Sequence, residues 1–363
     1  MPAKQPQDSW LTKVSLKLST IKFTQKIFLF ENLRVMIKAG LSITEALSIV
    51  AAQSTNEKLR RIVKQVSAEV EKGQAFSETL AKFPQLFPPI YVKMIAAGEV
   101  SGKLDESLSQ SVEQMKKSYA MTSKIRGAMV YPIVIMVAVL GIGIEMIVFV
   151  LPKILTIFIE MDVPLPLPTR ILIGLSSFLI HYGLLVAAGV VILFFAFIRA
   201  QKNPNFVRHL DNLILHLPIF GNISKQVNLA RFSLTLSSLL KSAIPIIDAL
   251  HITSDVVSNM LFKDALQDTS QKIKTGRPIS EVLSEYPKLF PPLVTQMIMV
   301  GEKSGTLESL LNELSDYYND EVDQILKNIS TIIEPVIILT LGLVVGGLAL
   351  AVIMPMYSLS QGI

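Results

Sequence analysis

One stretch has the look of a nucleotide site. Gly98-Glu99-Val100-Ser101-Gly102-Lys103 carries the glycines, hydroxyl and lysine of a loop that cradles phosphate. That chemistry needs four residues between the glycines and a Ser or Thr after the lysine, so that backbone amides wrap the phosphates and the hydroxyl reaches a metal ion. Here three residues separate the glycines, and Leu104 follows Lys103. A second copy, Gly301-Glu302-Lys303-Ser304-Gly305, has Thr306 in place of the lysine. Nucleotide binding is therefore set aside in favour of a helix–helix turn. Glu99 and Glu302 remain as matched, exposed acids that a basic partner face would suit.

Two further residues stand out by their surroundings. Glu145 is the only carboxylate in three long apolar stretches, and His181 is the only ionisable group in the second of them. A charge in lipid is costly and is by default a functional hypothesis. At the helical rise, Glu145 lies roughly 10 Å and His181 roughly 15 Å inside the same boundary. They are candidates for an intramembrane polar pair or for contact with a polar group on a partner helix. The plainer alternative has Glu145 reaching interfacial water and His181 making a routine hydrogen bond between helices. The chain has no cysteine, and His181, His209, His216 and His251 do not cluster with carboxylates. No catalytic, cofactor-binding or metal-ligating set is expected.

The elements that must hold these residues follow from composition. Of 363 residues, 50% are hydrophobic and 17% charged, and mean hydropathy is +0.49. Soluble domains carry about 25% charged residues, so much of this chain is expected in lipid. Residues 127–151, 171–198 and 335–357 are each long enough to cross a bilayer, which takes ~20 apolar residues. Lys116, Lys117, Lys124 and Arg126 precede the first, and Arg199, Lys202 and Arg208 follow the second. Basic residues near spans stay inside. Residues 28–126 and 199–334 are thus expected in the cytoplasm, with the 152–170 loop and the 358–363 tail outside. Segment 1–27 holds Lys4, Lys13, Lys17, Lys22 and Lys26 among Trp10, Leu11, Val14, Leu18 and Ile21, without the apolar run of a signal peptide. It reads as a basic amphipathic segment that could lie on anionic lipid or as a solvated tail. No basic face with interleaved aromatics suggests nucleic-acid binding.

The most informative feature is an internal repeat. Gly73–Leu108 and Gly276–Leu311 match at 17 of 36 positions, at a constant offset of 203. The offset holds upstream, where Lys38 to Leu47 meets Lys241 to Leu250, and downstream, where Pro132 meets Pro335. Each copy is a soluble unit followed by a span, and the unrepeated second span returns the chain to the same side. The fold class is all-α: two tandem cytoplasmic helical-bundle repeats with three transmembrane helices. Gly73 and Gly276 should stop helices. The Leu-Phe-Pro-Pro segments at 86–89 and 289–292 should end one helix and begin the next, since proline suits only a first turn. Asp105, Glu106 and Glu308 suit a helix amino terminus. Met94 and Met297 are expected in the core.

A doubled helical unit with Leu-Phe-Pro-Pro, then Gly-Glu-x-Ser-Gly-x-Leu, then a span, resembles the PilC/GspF family of inner-membrane platform proteins. The Lys-Ala-Gly-Leu-x-Ile-x-x-Ala-Leu run at 38–47 is also similar to that family. The likeness covers about residues 20–357. It implies a non-enzymatic protein of the bacterial inner membrane that couples a hexameric assembly ATPase to extraction and polymerisation of pilin or pseudopilin subunits. Further partners implied are other inner-membrane assembly proteins and further copies of the chain. On that reading Glu99 and Glu302 would face the ATPase, and Glu145 and His181 would meet each other or a pilin helix. Gly342 and Gly346 fit a small-xxx-small pattern for close helix packing within the chain, between chains or against a pilin. Two departures are the short amino-terminal region and Ala243-Ile244-Pro245, which replaces Gly40-Leu41-Ser42. The alternative is a small oligomeric transporter subunit.

Overall fold

The computed structural model describes residues 20–150, 152, 167–217 and 220–361. Most of the basic amino-terminal segment, most of the 152–170 loop and the last two residues lie outside the described residues. Those described are helical, with no strand among them. In repeat one, α1 is Phe23–Lys38, α2 Ile43–Gln53, α3 Glu57–Glu71, α4 Phe76–Ala81, α5 Pro89–Ser101 and α6 Leu104–Glu145, followed by a π turn at Met146–Val150. Next come α7 Leu167–Ala200 and α8 Pro204–His216. Repeat two has α9 Phe220–Lys241, α10 Ile246–Val256, α11 Met260–Ile273, α12 Ile279–Ser284, α13 Pro292–Ser304 and α14 Leu307–Gln361. Four of the six repeat helices begin at the offset of 203 and end at it too, or run on as α6 and α14 do.

Local chemistry accounts for these boundaries. Ser42 accepts the Glu45 amide at the start of α2, and Asn56 accepts the Lys58 and Leu59 amides at the start of α3. Capping of this kind satisfies amides that have no partner inside the helix. Gly73 and Gly276 follow α3 and α11 at φ 87° and 88°, a left-handed turn that costs glycine nothing. Pro89 and Pro292 open α5 and α13 as expected. The two departures at 243–245 have different outcomes. Ala243 keeps the left-handed backbone of Gly40, with φ 56° against 90°. Pro245 takes the cap position of Ser42 without a side-chain hydrogen bond.

The described chain forms two compact units, one from residues up to Thr122 and Ile214–Asp320, the other from Ser123–Leu213 and the residues from Glu321 on. The first unit holds both repeat cores. In repeat one Phe30 packs against Phe87 and Tyr91, with ring centres 5.8 and 6.2 Å apart. In repeat two Phe290 packs against Phe232 and Phe262 at 5.4 and 5.3 Å. Phe87 and Phe290 come from the Leu-Phe-Pro-Pro segments, so each turn is anchored by its own aromatic. Burying such a ring contributes roughly 1.5–3 kcal/mol. Met94 is fully buried, as expected, whereas Met297 is only half-buried.

In the second unit, two helical stretches are long and apolar enough to cross a membrane: Leu104–Val150, which begins in the first unit, and Ser176–Ala200. They contain or overlap the expected spans at 127–151 and 171–198. The third expected span falls within α14, where only Ile337–Gly347 forms a shorter apolar stretch and many side chains lie outside the described residues. The described residues therefore contain two such helices, not three. Pro132 does not end α6, which continues to Glu145.

Candidate functional site

The Gly98–Gly102 segment differs from the expected turn. α5 runs through Gly98 to Ser101, and only Gly102 turns, at φ 69°. Gly305 does the same after α13, at φ 73°. Gly98 is small because the next helix crosses it: a Cβ there would sit 2.2 Å from Ser107 Oγ and 2.9 Å from the Lys103 carbonyl. A Cβ at Gly301 would sit 2.8 Å from Leu307 Cα. These glycines let α5 and α6, and α13 and α14, close into tight hairpins.

Glu99 and Glu302 depart from the expectation of exposure. Both are half-buried. Glu99 accepts the backbone amide of Phe76, the amide of Ser77 at 3.0 Å and the Ser77 hydroxyl at 2.6 Å. Glu302 accepts the amide of Ile279, the amide of Ser280 at 3.1 Å and the Ser280 hydroxyl. The preceding residues, Ala75 and Pro278, offer no side-chain cap. A carboxylate from α5 or α13 thus caps the short helix α4 or α12 from a distance. The geometry suits a negative charge at a helix amino terminus, and it occupies both oxygens inside the repeat.

Glu145 and His181 are exposed, and no hydrogen bond or ion pair joins them in the structure. His181 Nδ1 donates to the Ser177 carbonyl of its own helix at 2.9 Å. The polar link between the two apolar helices comes instead from Ser176, whose hydroxyl donates to the Ile147 carbonyl at 2.7 Å. Ile147 lies in the π turn just after Glu145, and a π turn takes carbonyls out of the regular helical ladder. At Gly342 and Gly346 nothing lies within 4 Å of an added Cβ, so neither shows a close helix approach among the described residues.

Two features escaped the sequence reading. One is a cleft of about 510 Å³ in repeat one, lined by Lys26, Lys58 and Lys82 over Ile62 and Phe83. Burial lowers the Lys26 pKa, and its amine donates to the Gln85 carbonyl at 3.2 Å. Repeat two has Leu229, Leu261 and Glu285 at the matching positions, so the basic cleft belongs to repeat one alone. The lysine triad is visible in sequence only once three helices are known to converge. The other is the join between repeats, where Gln110 and Gln114 of α6 meet Thr235 and Ser238 of α9 and Ser242 just after it, and Lys117 of α6 pairs with Asp316 of α14 at 3.6 Å.

The fold and these contacts define a class: a duplicated helical protein with apolar helices that fit a membrane protein, and with its matched acids spent on holding the repeats together. Residues 29–152 and 232–355 each match the family model described as type II secretion system (T2SS), protein F, at the same offset of 203. The chain belongs to that family, which includes PilC and GspF proteins. It is 36% identical over 328 residues to the type IV pilus assembly protein PilC of Thermus thermophilus, covering 90% of this chain and 80% of that protein. It is 33% identical to the PilC of Pseudomonas aeruginosa, covering 91% and 88%. It is 31% identical to type II secretion system protein F of Vibrio cholerae, covering 91% and 81%.

Proposed function

We propose that this chain is an inner-membrane platform of a type IV pilus-like or type II secretion machine. In this reading it couples a cytoplasmic hexameric ATPase to the extraction and polymerisation of pilin or pseudopilin subunits, without catalysis of its own. The observation that carries it is the family match, duplicated at the offset at which the helices repeat, with relatives named for both machines.

The proposed topology has three spans, with both repeats in the cytoplasm and the 152–170 loop and carboxyl tip outside. Contact between the repeats supports one side for both, because Gln114 and Ser238 can hydrogen-bond only if no bilayer separates them. The repeats then offer a single motor two related bundles. Glu145 and His181, exposed and unlinked, suit contact with a pilin helix. Gly342 and Gly346 suit packing between chains or against that helix. Glu99 and Glu302 would act on the ATPase by fixing the shape of α4 and α12.

The test is deletion of the gene, followed by microscopy for surface filaments and assay of secreted protein. Loss of both filaments and secretion is not required; loss of either supports the reading, and retention of both rejects it. In parallel, an assembly ATPase of the same organism should co-purify with the full-length chain from membranes. Glu145→Gln should lower filament or secretion output with the protein still inserted, and unchanged output removes Glu145 from the substrate path.

A further inference from the structure

Each repeat serves as a control for the other. Where both copies place the same side chain in the same contact, as Phe87 and Phe290 do, the fold accounts for it. The cleft of about 510 Å³ in repeat one is not accounted for in that way. Its lysines come from three places: Lys26 from α1, Lys58 from α3 and Lys82 just after α4. Ile62 of α3, with Phe83 and Leu86 of the turn before α5, gives it an apolar wall. None of the residues lining it is acidic.

The duplication explains Lys82. Its amine donates to Glu69 at 2.6 Å and to Gln74 at 2.7 Å. In repeat two the counterparts of Lys82 and Glu69 are Glu285 and Lys272, which pair at 2.6 Å. The ion pair recurs with its signs exchanged, so in both copies it ties the long helix to the end of the short one. The duplication does not explain Lys26 and Lys58. Their counterparts are Leu229, which is fully buried, and Leu261. The fold therefore needs no amine at either position. Lys26 is half-buried, and among the described residues its amine makes one hydrogen bond, to the neutral Gln85 carbonyl at 3.2 Å, and no ion pair. Burying an ammonium without an opposite charge is costly. Residues 1–19 hold Lys4, Lys13 and Lys17 against Asp8 alone, so they bring no surplus of acid.

We propose that this cleft binds a phosphate ester, with phosphoryl oxygens on Lys26 and Lys58 and the organic body on Ile62 and Phe83. Lysine suits phosphate as a compact charge with several donors. The volume falls within the roughly 300 to 1,000 Å³ of small-molecule sites, where a few polar groups orient a ligand on an apolar wall. The ester has two possible sources, a soluble nucleotide-like molecule or the headgroup of an anionic phospholipid. Lys82, held by Glu69, closes one side of the cleft. The site belongs to repeat one alone, so its ligand would act on one bundle and not on its twin. The proposal does not rest on the pilus or secretion reading.

The test acetylates the full-length chain with a limiting amount of acetic anhydride and reads each lysine by mass spectrometry. Burial lowers the Lys26 pKa, which favours the reactive free amine. A bound anion favours the charged amine instead, and one unit of pKa is tenfold in free amine. Adenosine 5′-monophosphate, added to the chain in detergent, is the soluble probe, and adenosine is its uncharged control. Phosphatidylglycerol, added to nanodiscs of phosphatidylcholine, is the lipid probe. One of the two anionic probes should cut acetylation of Lys26 about tenfold and leave the exposed Lys64 unchanged. Protection by the nucleotide assigns a soluble source, and protection by the lipid assigns a headgroup. Protection by neither, or equal protection by adenosine, overturns the proposal. Lys26→Leu and Lys58→Leu copy the residues of repeat two, so helix content and thermal unfolding should hold. Each should weaken binding of the protecting probe at least about tenfold, whereas Lys64→Gln should not. Binding unchanged in both leucine variants overturns the proposal even if the probe binds elsewhere. Neither readout depends on filaments or secretion, so failure of the platform reading would leave both results standing.

Discussion

Glu302 holds the amides of Ile279 and Ser280 as Glu99, 203 residues earlier, holds those of Phe76 and Ser77. Each acid reaches a helix start that its own neighbours cannot cap. Glu99→Gln should keep one acceptor and turn an amide toward the Ser77 donors. A loss of roughly 1–3 kcal/mol is expected from the unsatisfied group. Denaturant unfolding of the full chain in detergent should show the same loss for Glu302→Gln. Loss of ATPase co-purification in a variant of full stability would instead give these acids a direct partner role.

Ala243 occupies a conformation that costs an L-residue about 1–2 kcal/mol, whereas Gly40 adopts it freely. Ala243→Gly should therefore stabilise the protein by about 1 kcal/mol. Gly40→Ala should destabilise it by a similar amount. Nothing lies within 4 Å of a Cβ at Gly40, so the difference comes from the backbone alone. Thermal unfolding of the two variants should move in opposite directions.

Gly98→Ala tests crowding. Its Cβ would overlap Ser107, and overpacking of this kind costs typically ~1–3 kcal/mol. Gly98→Ala with Ser107→Gly should recover part of the loss, because it removes the atoms in the way. No recovery would place the strain elsewhere in the hairpin.

Acid should act on repeat two through a surface network. Hydrogen bonds from Lys272 and Arg277 lower the pKa of Glu285. Burial raises the Asp268 pKa, but the Lys272 and Tyr286 hydrogen bonds outweigh it and leave it lowered. Burial, and then the bond to Asp268, push the Tyr286 hydroxyl up to about 12. A carboxylate with a depressed folded pKa stabilises the protein above its unfolded pKa. That contribution is lost as pH falls through the folded value. Glu285→Gln should flatten the acid side of the stability curve by up to about one proton. An identical slope in both proteins would show that the network contributes nothing.

Much of the fold is legible in the sequence because its punctuation is local. Gly73, Gly276, Pro89 and Pro292 each act through their own backbone, and each marks a boundary where expected. The repeat makes every such signal appear twice. The acids read differently, since the caps span 22 and 23 residues and no local pattern announces them. Gly98 and Gly102 look alike in sequence but do different work, one admitting a neighbouring helix and the other a left-handed turn. The basic cleft and the repeat join also arise only when distant helices converge.

The two glutamate caps act as staples in a chain with no sulfur cross-link to offer. Each closes a loop that carries a short helix and the buried Leu-Phe pair, which limits how far that loop can wander when the repeat loosens. A disulfide doing this job would tie the fold to the redox poise of its compartment. A carboxylate on backbone amides holds alike under reducing and oxidising conditions, so each repeat keeps its shape whether thiol reductants are abundant or scarce.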